Sequence, residues 1–465
     1  MKTTKMKRLQ IVLLAAVVIL LSVSCEKRLD MKPTQSIDET EALKKSSDVE
    51  AALIGAYSDI GDDDVLGGGF LVRGELLANV SEINWSGTFQ ELTQIYNKAI
   101  PINNFEVAET WVDTYRAINT INNVLGAIDT VIEVRRDRVE GEAKFLRGLL
   151  YYQLVTHYAK SYNDGNPEAN PGVPLILAPT RAPITDSNKV ARASVAAVYQ
   201  QILADLEEAA ELLQDDEDIL DNQRNYFGSK ASALGLLSRV YLQIEDYEKA
   251  WEAANTVIEE WPFELTDSYR DAFPVNYTLT TSVTDATSED IFALRVNSTQ
   301  GTNDLNTFFS PLGRGDMTVN QSFIDQFEPT DDRLSLYEYD SDADVYLLTK
   351  FDMIYSPVKI LRLAEMHLTR AEASFRLGTG DMGLADVNLI RERAGLDPLD
   401  AAGLTLEAIV KERRLELAFE GGTLQDVKRL KGSVGNIQWN SSRLIFPIPS
   451  REITVNPNLT QNEGY

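Results

Sequence analysis

The sequence predicts a mainly α-helical fold, built on tetratricopeptide-like helix pairs with long irregular ligand-binding loops. Apolar residues recur at three- to four-residue spacing through much of the first half. Residues 231–262 carry the large, aromatic, small and terminating positions of a helix-pair repeat. Two long stretches, 61–102 and 264–355, lose helical periodicity and turn to Gly, Asn, Ser, Thr and Asp with isolated aromatics.

At the N-terminus, Lys2, Lys5, Lys7 and Arg8 precede an uncharged apolar run from Leu9 to Ser24. That is the order of a secretory signal, and the run is short for a membrane span. Cys25, the only cysteine among 465 residues, follows directly and is itself followed by Glu26 and Lys27. The placement resembles a bacterial lipoprotein cleavage site. It predicts a signal peptide at 1–24, a lipidated tether at 25–37 and a single α-rich domain at 38–465, whose halves (about 38–262 and 263–465) feed one body. Each methylene of an acyl chain on Cys25 would contribute about 0.8 kcal/mol of membrane anchoring. With Cys25 lipidated, no cysteine is left for a disulfide, so the fold must hold by burial.

From Val139 to Tyr158, the residues Ala143, Leu146, Leu150, Leu154 and Tyr158 form one apolar stripe, with Glu142, Lys144 and Gln153 expected on the opposite face. Val195 to Leu213 repeats the pattern with Val198, Ile202, Leu206 and Ala209. Within 231–262, Leu237, Tyr241, Tyr247, Ala250, Val257 and Pro262 mark the helix pair, and the small Ala250 and Ala254 allow its helices to approach closely. A looser pair runs from Leu361 to Leu396. Two such units cannot cover their own apolar faces, so further helices must pack against them. The tail after Arg443 reads as extended chain laid on the body.

Composition excludes several function classes. A formal charge of -27 repels phosphate backbones, which argues against nucleic-acid binding, and removal of the basic leader deepens it. His157 and His367, the only histidines, lie on predicted helices among packed neighbours and read as structural. No HExxH, P-loop or GxSxG pattern occurs. DSDADVY at 340–346 starts like a calcium loop, but Val345 and Phe351 stand where glycine and glutamate are needed, so it reads as a solvated acidic loop. No catalytic residue, metal or cofactor is expected. A glycosidase carboxylate pair remains an alternative, because 71 acidic residues supply many candidates. A tetratricopeptide scaffold of the envelope is another, although it leaves the aromatic-bearing loops unexplained.

The order of motifs resembles the SusD/RagB family along the mature chain: WVDTYRAINTINNVL at 111–125, GEAKFLRGLLYYQLVTHY at 141–158, GVPLIL at 172–177, FEPTDDR at 327–333, LRLAEMHLTRAEA at 361–373, NLIRERAGL at 388–396, IVKERRLELAFEG at 409–421 and the ending IFPIPSREITVNPNLTQNEGY. EGGTLQDVKRL at 420–430 departs from the family pattern. Thr423, Leu424 and Leu430 stand where an arginine and a tryptophan usually surround the aspartate, which puts packing near Asp426 in doubt. The resemblance implies a non-enzymatic, lipid-anchored outer-membrane protein that faces the cell exterior. It further implies capture of oligosaccharide nutrients, or peptides in some relatives, for a partner SusC-like TonB-dependent transporter.

A sugar-binding surface needs aromatic platforms for C–H faces, with amides and carboxylates nearby for hydroxyls. The stretch 79–96 offers Asn79, Glu82, Asn84, Trp85, Phe89 and Tyr96, in the region where the resemblance implies part of the ligand site. Tyr277, Phe308, Phe309 and Arg314, from the central stretch, are candidates for the opposite wall. For Trp85 and the phenylalanines the competing reading is buried packing.

Overall fold

The structure is a computed structural model that describes residues 43–79, 81–181, 185–214, 224–275, 277, 285–297 and 303–465. The expected signal, the tether and Cys25 lie outside the described residues. Lys45–Tyr465 forms one compact unit.

In chain order the first half contains α1 (Ser46–Ile60), α2 (Gly69–Ala78), β1 (Ile83–Trp85), α3 (Gln90–Tyr96), α4 (Phe105–Gly126), α5 (Glu133–Tyr158), α6 (Val195–Leu212), α7 (Lys230–Gln243) and α8 (Tyr247–Glu260). The second half adds β2 (Asp290–Leu294), α9 (Asp304–Phe309), β3 (Met317–Val319), α10 (Gln321–Ile324), β4 (Tyr337–Asp340), β5 (Val345–Leu348) and β6 (Val358–Arg362). It ends with α11 (Leu363–Leu377), α12 (Gly380–Arg393), α13 (Leu406–Glu416), α14 (Thr423–Arg429), β7 (Ser433–Val434), β8 (Ile437–Gln438) and α15 (Ser450–Val455).

Local chemistry sets several boundaries. Ser194, Ser229 and Thr405 cap α6, α7 and α13 by accepting a backbone N–H three residues on. Gly378 closes α11 at φ 76°, a left-handed position that favours glycine.

The helices pack in succession: α1 on α4, α4 on α5, α5 on α6, α6 on α7, α7 on α8, α8 on α11, and α11 on α12 and α13. Both expected helix pairs are present as α7–α8 and α11–α12, and they stack directly through α8 and α11. Ala250 and Ala254 are fully buried at the α8 surface, as their size suggests. The neighbours that the two pairs require are α5 and α6 on one side and α13 on the other.

α5 departs from expectation. It buries Glu142 and Gln153 as well as its apolar stripe, so it is enclosed on nearly all sides over its second half. Glu142 survives there because the Tyr57 hydroxyl donates to it at 2.8 Å and Arg138 Nη1 at 2.7 Å.

The stretches expected to be irregular hold short regular elements. Residues 61–102 contain α2, β1 and α3, and residues 264–355 contain strands β2 to β5. β1, β3, β5 and β4 form one antiparallel sheet in that order, so a strand from the first half lies beside three from the second. Ile83, Asn84 and Trp85 face Val319, Thr318 and Met317 across the ladder. DSDADVY is the turn of the β4–β5 hairpin, where Asp340 accepts from the backbone N–H groups of Asp342 and Ala343. The tail is extended apart from a short 3-10 turn and α15, and Asn462 Nδ2 pins it by donating to the carbonyls of Tyr158 and Phe446.

The motif at 409–421 builds a buried ionic lattice. Arg362 meets Glu289, Glu416 and Glu420, while Arg393 pairs with Glu289 and Glu416. Arg333 pairs with Asp331 and Glu412. Asp426, whose packing the sequence left in doubt, is held by Arg413 Nε at 3.3 Å and Arg429 Nε at 2.7 Å.

Candidate functional site

β1 and β3 bring the two candidate segments together. Trp85 ends β1, and its ring lies 5.8 Å from that of Phe308 on α9. Phe89, at the N-cap of α3, meets Phe308 edge-on at 6.0 Å. The Arg314 guanidinium stacks 4.8 Å over Phe89, and its Nε donates to Asp316 at 2.7 Å. Ser86 N donates to the Asp316 carbonyl at 2.9 Å, which joins the segments beyond the strand ends. The chain can cross the indole only because residue 87 is glycine, since a Cβ there would lie 2.3 Å from the Trp85 ring.

Exposure divides this group. Phe89 is 40% exposed, and the neighbouring Leu312 is also exposed, whereas Trp85 is 9% and Phe308 7% exposed. Phe89 and Arg314 therefore form the open edge of an aromatic ledge that Trp85 and Phe308 support from within. With one face of the Phe89 ring capped by the Arg314 guanidinium, the remaining exposed ring surface can meet the C–H face of a sugar while spare guanidinium donors hydrogen-bond its hydroxyls.

The other candidates lie around this ledge or apart from it. Asn84 Nδ2 is 3.5 Å from the Thr318 hydroxyl across the sheet. Tyr96 braces β1 by donating to the Ile83 carbonyl at 3.0 Å. Phe309 is fully buried against Phe351 and Phe419. Tyr277 is exposed and accepts from Arg270 Nη2 at 3.1 Å, while the Asp352 carboxylate takes a 2.5 Å bond from Ser310.

Asn79 and Glu82 line a second feature, an open groove of about 300 Å³ shared with Arg414, Thr423 and Asp426. Arg414 pairs with Glu82 and donates to Thr423 Oγ1 at 2.7 Å and Asn79 Oδ1 at 3.3 Å. Gln326 Nε2 donates to Glu82 at 2.8 Å. Burial opposes ionisation of Glu82, but Arg414 prevails and holds its carboxyl below the usual range. Beneath the groove, burial raises the Glu75 carboxyl against the pull of Arg414 and the bonds from Thr423 and Gly421. Sequence reasoning missed Arg414. Its motif has two adjacent arginines, and only the fold shows that Arg413 turns inward while Arg414 reaches the groove.

The histidines sit in the core. His157 is fully buried with Nδ1 2.9 Å from the Gln153 carbonyl, and burial pushes its imidazole down to about 3. His367 Nδ1 lies 2.7 Å from Asp386 Oδ1. Among the described residues, carboxylates crowd at Asp62, Asp63 and Asp64, and at Asp64, Glu109 and Asp113. Arg73 pairs with Asp64, and Arg116 with Asp113 at 2.5 Å, so the chain supplies part of the countercharge itself. No helix among the described residues is long and apolar enough to cross a membrane.

Comparison with known proteins agrees with this architecture. Residues 27–242 match a SusD-like family model described as starch-binding and associating with the outer membrane, and residues 349–444 match the SusD family model. SusD-like protein P2 of Formosa agariphila is 25% identical, over 97% of this chain and 98% of its own length. A putative sugar binding protein from Bacteroides vulgatus has the same fold at a TM-score of 0.79, with 25% identity over 91% of this chain and 99% of that one. A SusD superfamily protein from the same organism superposes at 0.81, with 23% identity over 91% and 99%. With family models matched in order in both halves, a relative aligned end to end and a shared helical-repeat fold, this chain belongs to the SusD/RagB family.

Proposed function

We propose that this protein is a lipid-anchored outer-membrane glycan-binding protein that captures oligosaccharides at the Phe89–Arg314 ledge and hands them to a SusC-like TonB-dependent transporter. The observation that carries the reading is the ledge itself: an exposed phenylalanine under a guanidinium, assembled by strand pairing between two distant segments and backed by Trp85 and Phe308. Asn79 and Glu82, earlier on the same stretch of chain, line the groove at Arg414, and Asn84 faces Thr318 across the sheet. The groove at Arg414 gives a second recess for a ligand that extends past the ledge. Family descriptions of starch binding and outer-membrane association support the ligand class and the location. The apolar run that ends at Cys25 supports the anchor.

A panel of neutral and acidic oligosaccharides and of peptides, titrated calorimetrically against the mature protein, tests the reading. Saturable binding of a glycan without product release is the expected result. Binding of peptides alone, or release of shortened sugars, would overturn it.

A further inference from the structure

A smaller cavity of about 50 Å³ lies where α5, α7, β6, α11, α13 and α14 converge, separate from the ledge. Tyr152, Gln153 and Arg429 all line it, and each carries a polar atom with no hydrogen-bond partner in the protein: Tyr152 Oη, Gln153 Oε1 and Arg429 Nη2. Tyr152 is wholly enclosed, Gln153 is 3% exposed and Arg429 5%. Native interiors rarely leave such atoms unpaired, and three around one space point to something bound within it.

Charge and volume decide what that is. Arg239, Arg413 and Arg429 on the lining are balanced by Glu365, Asp426 and Glu372, through Arg239–Glu365, Arg413–Glu365, Arg413–Asp426, Arg429–Asp426 and Arg429–Glu372 pairs. Lys359 and Arg362 are paired with Asp290 and with Glu289, Glu416 and Glu420. No unbalanced charge is left for an ion to neutralise. One water needs at least about 10–15 Å³, so the space suits about three or four. We infer that this cavity is a structural hydration site, holding a cluster of waters that bridges Tyr152 and Gln153 of α5 to Arg429 of α14. The waters complete the seam between the first-half helices and the C-terminal ionic lattice.

Two measurements test this. A high-resolution crystal structure of the mature protein, soaked in bromide, should show water peaks within hydrogen-bond distance of the three atoms and no anomalous signal. A bromide peak, an organic ligand, or side chains collapsed onto one another would overturn the inference. Independently, Tyr152→Phe discriminates by sign. If the hydroxyl bonds to water, its loss lowers the melting temperature. If the hydroxyl is unpaired, removing a buried unsatisfied group raises the melting temperature, and the hydration site is wrong.

Discussion

The indole N–H of Trp85 donates to the Thr93 hydroxyl at 2.8 Å, tying the end of β1 to α3. With Thr93 in turn donating to the Phe89 carbonyl at 2.8 Å, the bond fixes the loop that presents Phe89. Trp85→Ala should leave a cavity and cost about 3–5 kcal/mol of stability. A melting curve checks this; a shift of under a degree or so would place the indole outside the core.

Phe89→Ala should behave in the opposite way. An exposed ring contributes little to folding, so the melting temperature should hold while glycan affinity falls by about 1–2 kcal/mol. Arg314→Ala should do the same through lost hydrogen bonds and lost stacking. Calorimetric titration of both variants measures the effect, and unchanged affinity in both would move the ligand elsewhere.

Glu416 is fully buried between Arg362, Arg393 and Arg333, and although burial opposes its charge, the three guanidiniums hold the carboxyl well below the usual carboxylate range. A carboxyl depressed on folding contributes stability that is present above its unfolded value near 4.5 and is lost only as pH falls through the folded value. Glu416→Gln should therefore destabilise by about 3–5 kcal/mol at neutral pH, because it leaves buried cations short of a partner. The difference from wild type should shrink in strong acid. Denaturant titrations at several pH values provide the comparison.

Lys428 is buried with its Nζ 2.6 Å from the Thr156 carbonyl, and burial pushes it down to about 7. Unfolded, it titrates near 10.5, so between these values the unfolded chain binds more protons and stability rises with pH. Lys428→Met should flatten that rise. An unchanged pH slope in denaturant melts would show that the lysine stays charged in the fold.

Cys25→Ala should abolish acylation and leave the protein uncleaved or soluble, as read by membrane fractionation with an acyl label. Label retained in the outer membrane would overturn the anchor.

The helical body was legible because its pairs are long and periodic; Leu237, Tyr241, Ala250, Ala254 and Val257 are all buried at the expected seam. The enclosure of α5 was not, since Glu142 and Gln153 look like solvent-facing residues until their surroundings are known. The sheet escaped notice because strands of two to five residues are too short to establish a period. Sequence reasoning did name the residues that meet at the ledge, Trp85, Phe89, Phe308 and Arg314, from the pairing of aromatics with polar, irregular chain. It could not rank them by exposure, which depends on tertiary packing alone.

Pairing β1 with β3 also has a kinetic consequence. Asn84 and Thr318, neighbours across that ladder, are 234 residues apart in the chain. Closing so long a loop is slow, and it cannot begin until the second half of the polypeptide exists. A translocating chain that folds its early helices as they emerge would still carry Trp85 on an unpaired strand end. Ligand-binding competence should therefore appear late in refolding, after most helical signal has returned, and a nascent or truncated first half should have no affinity at all.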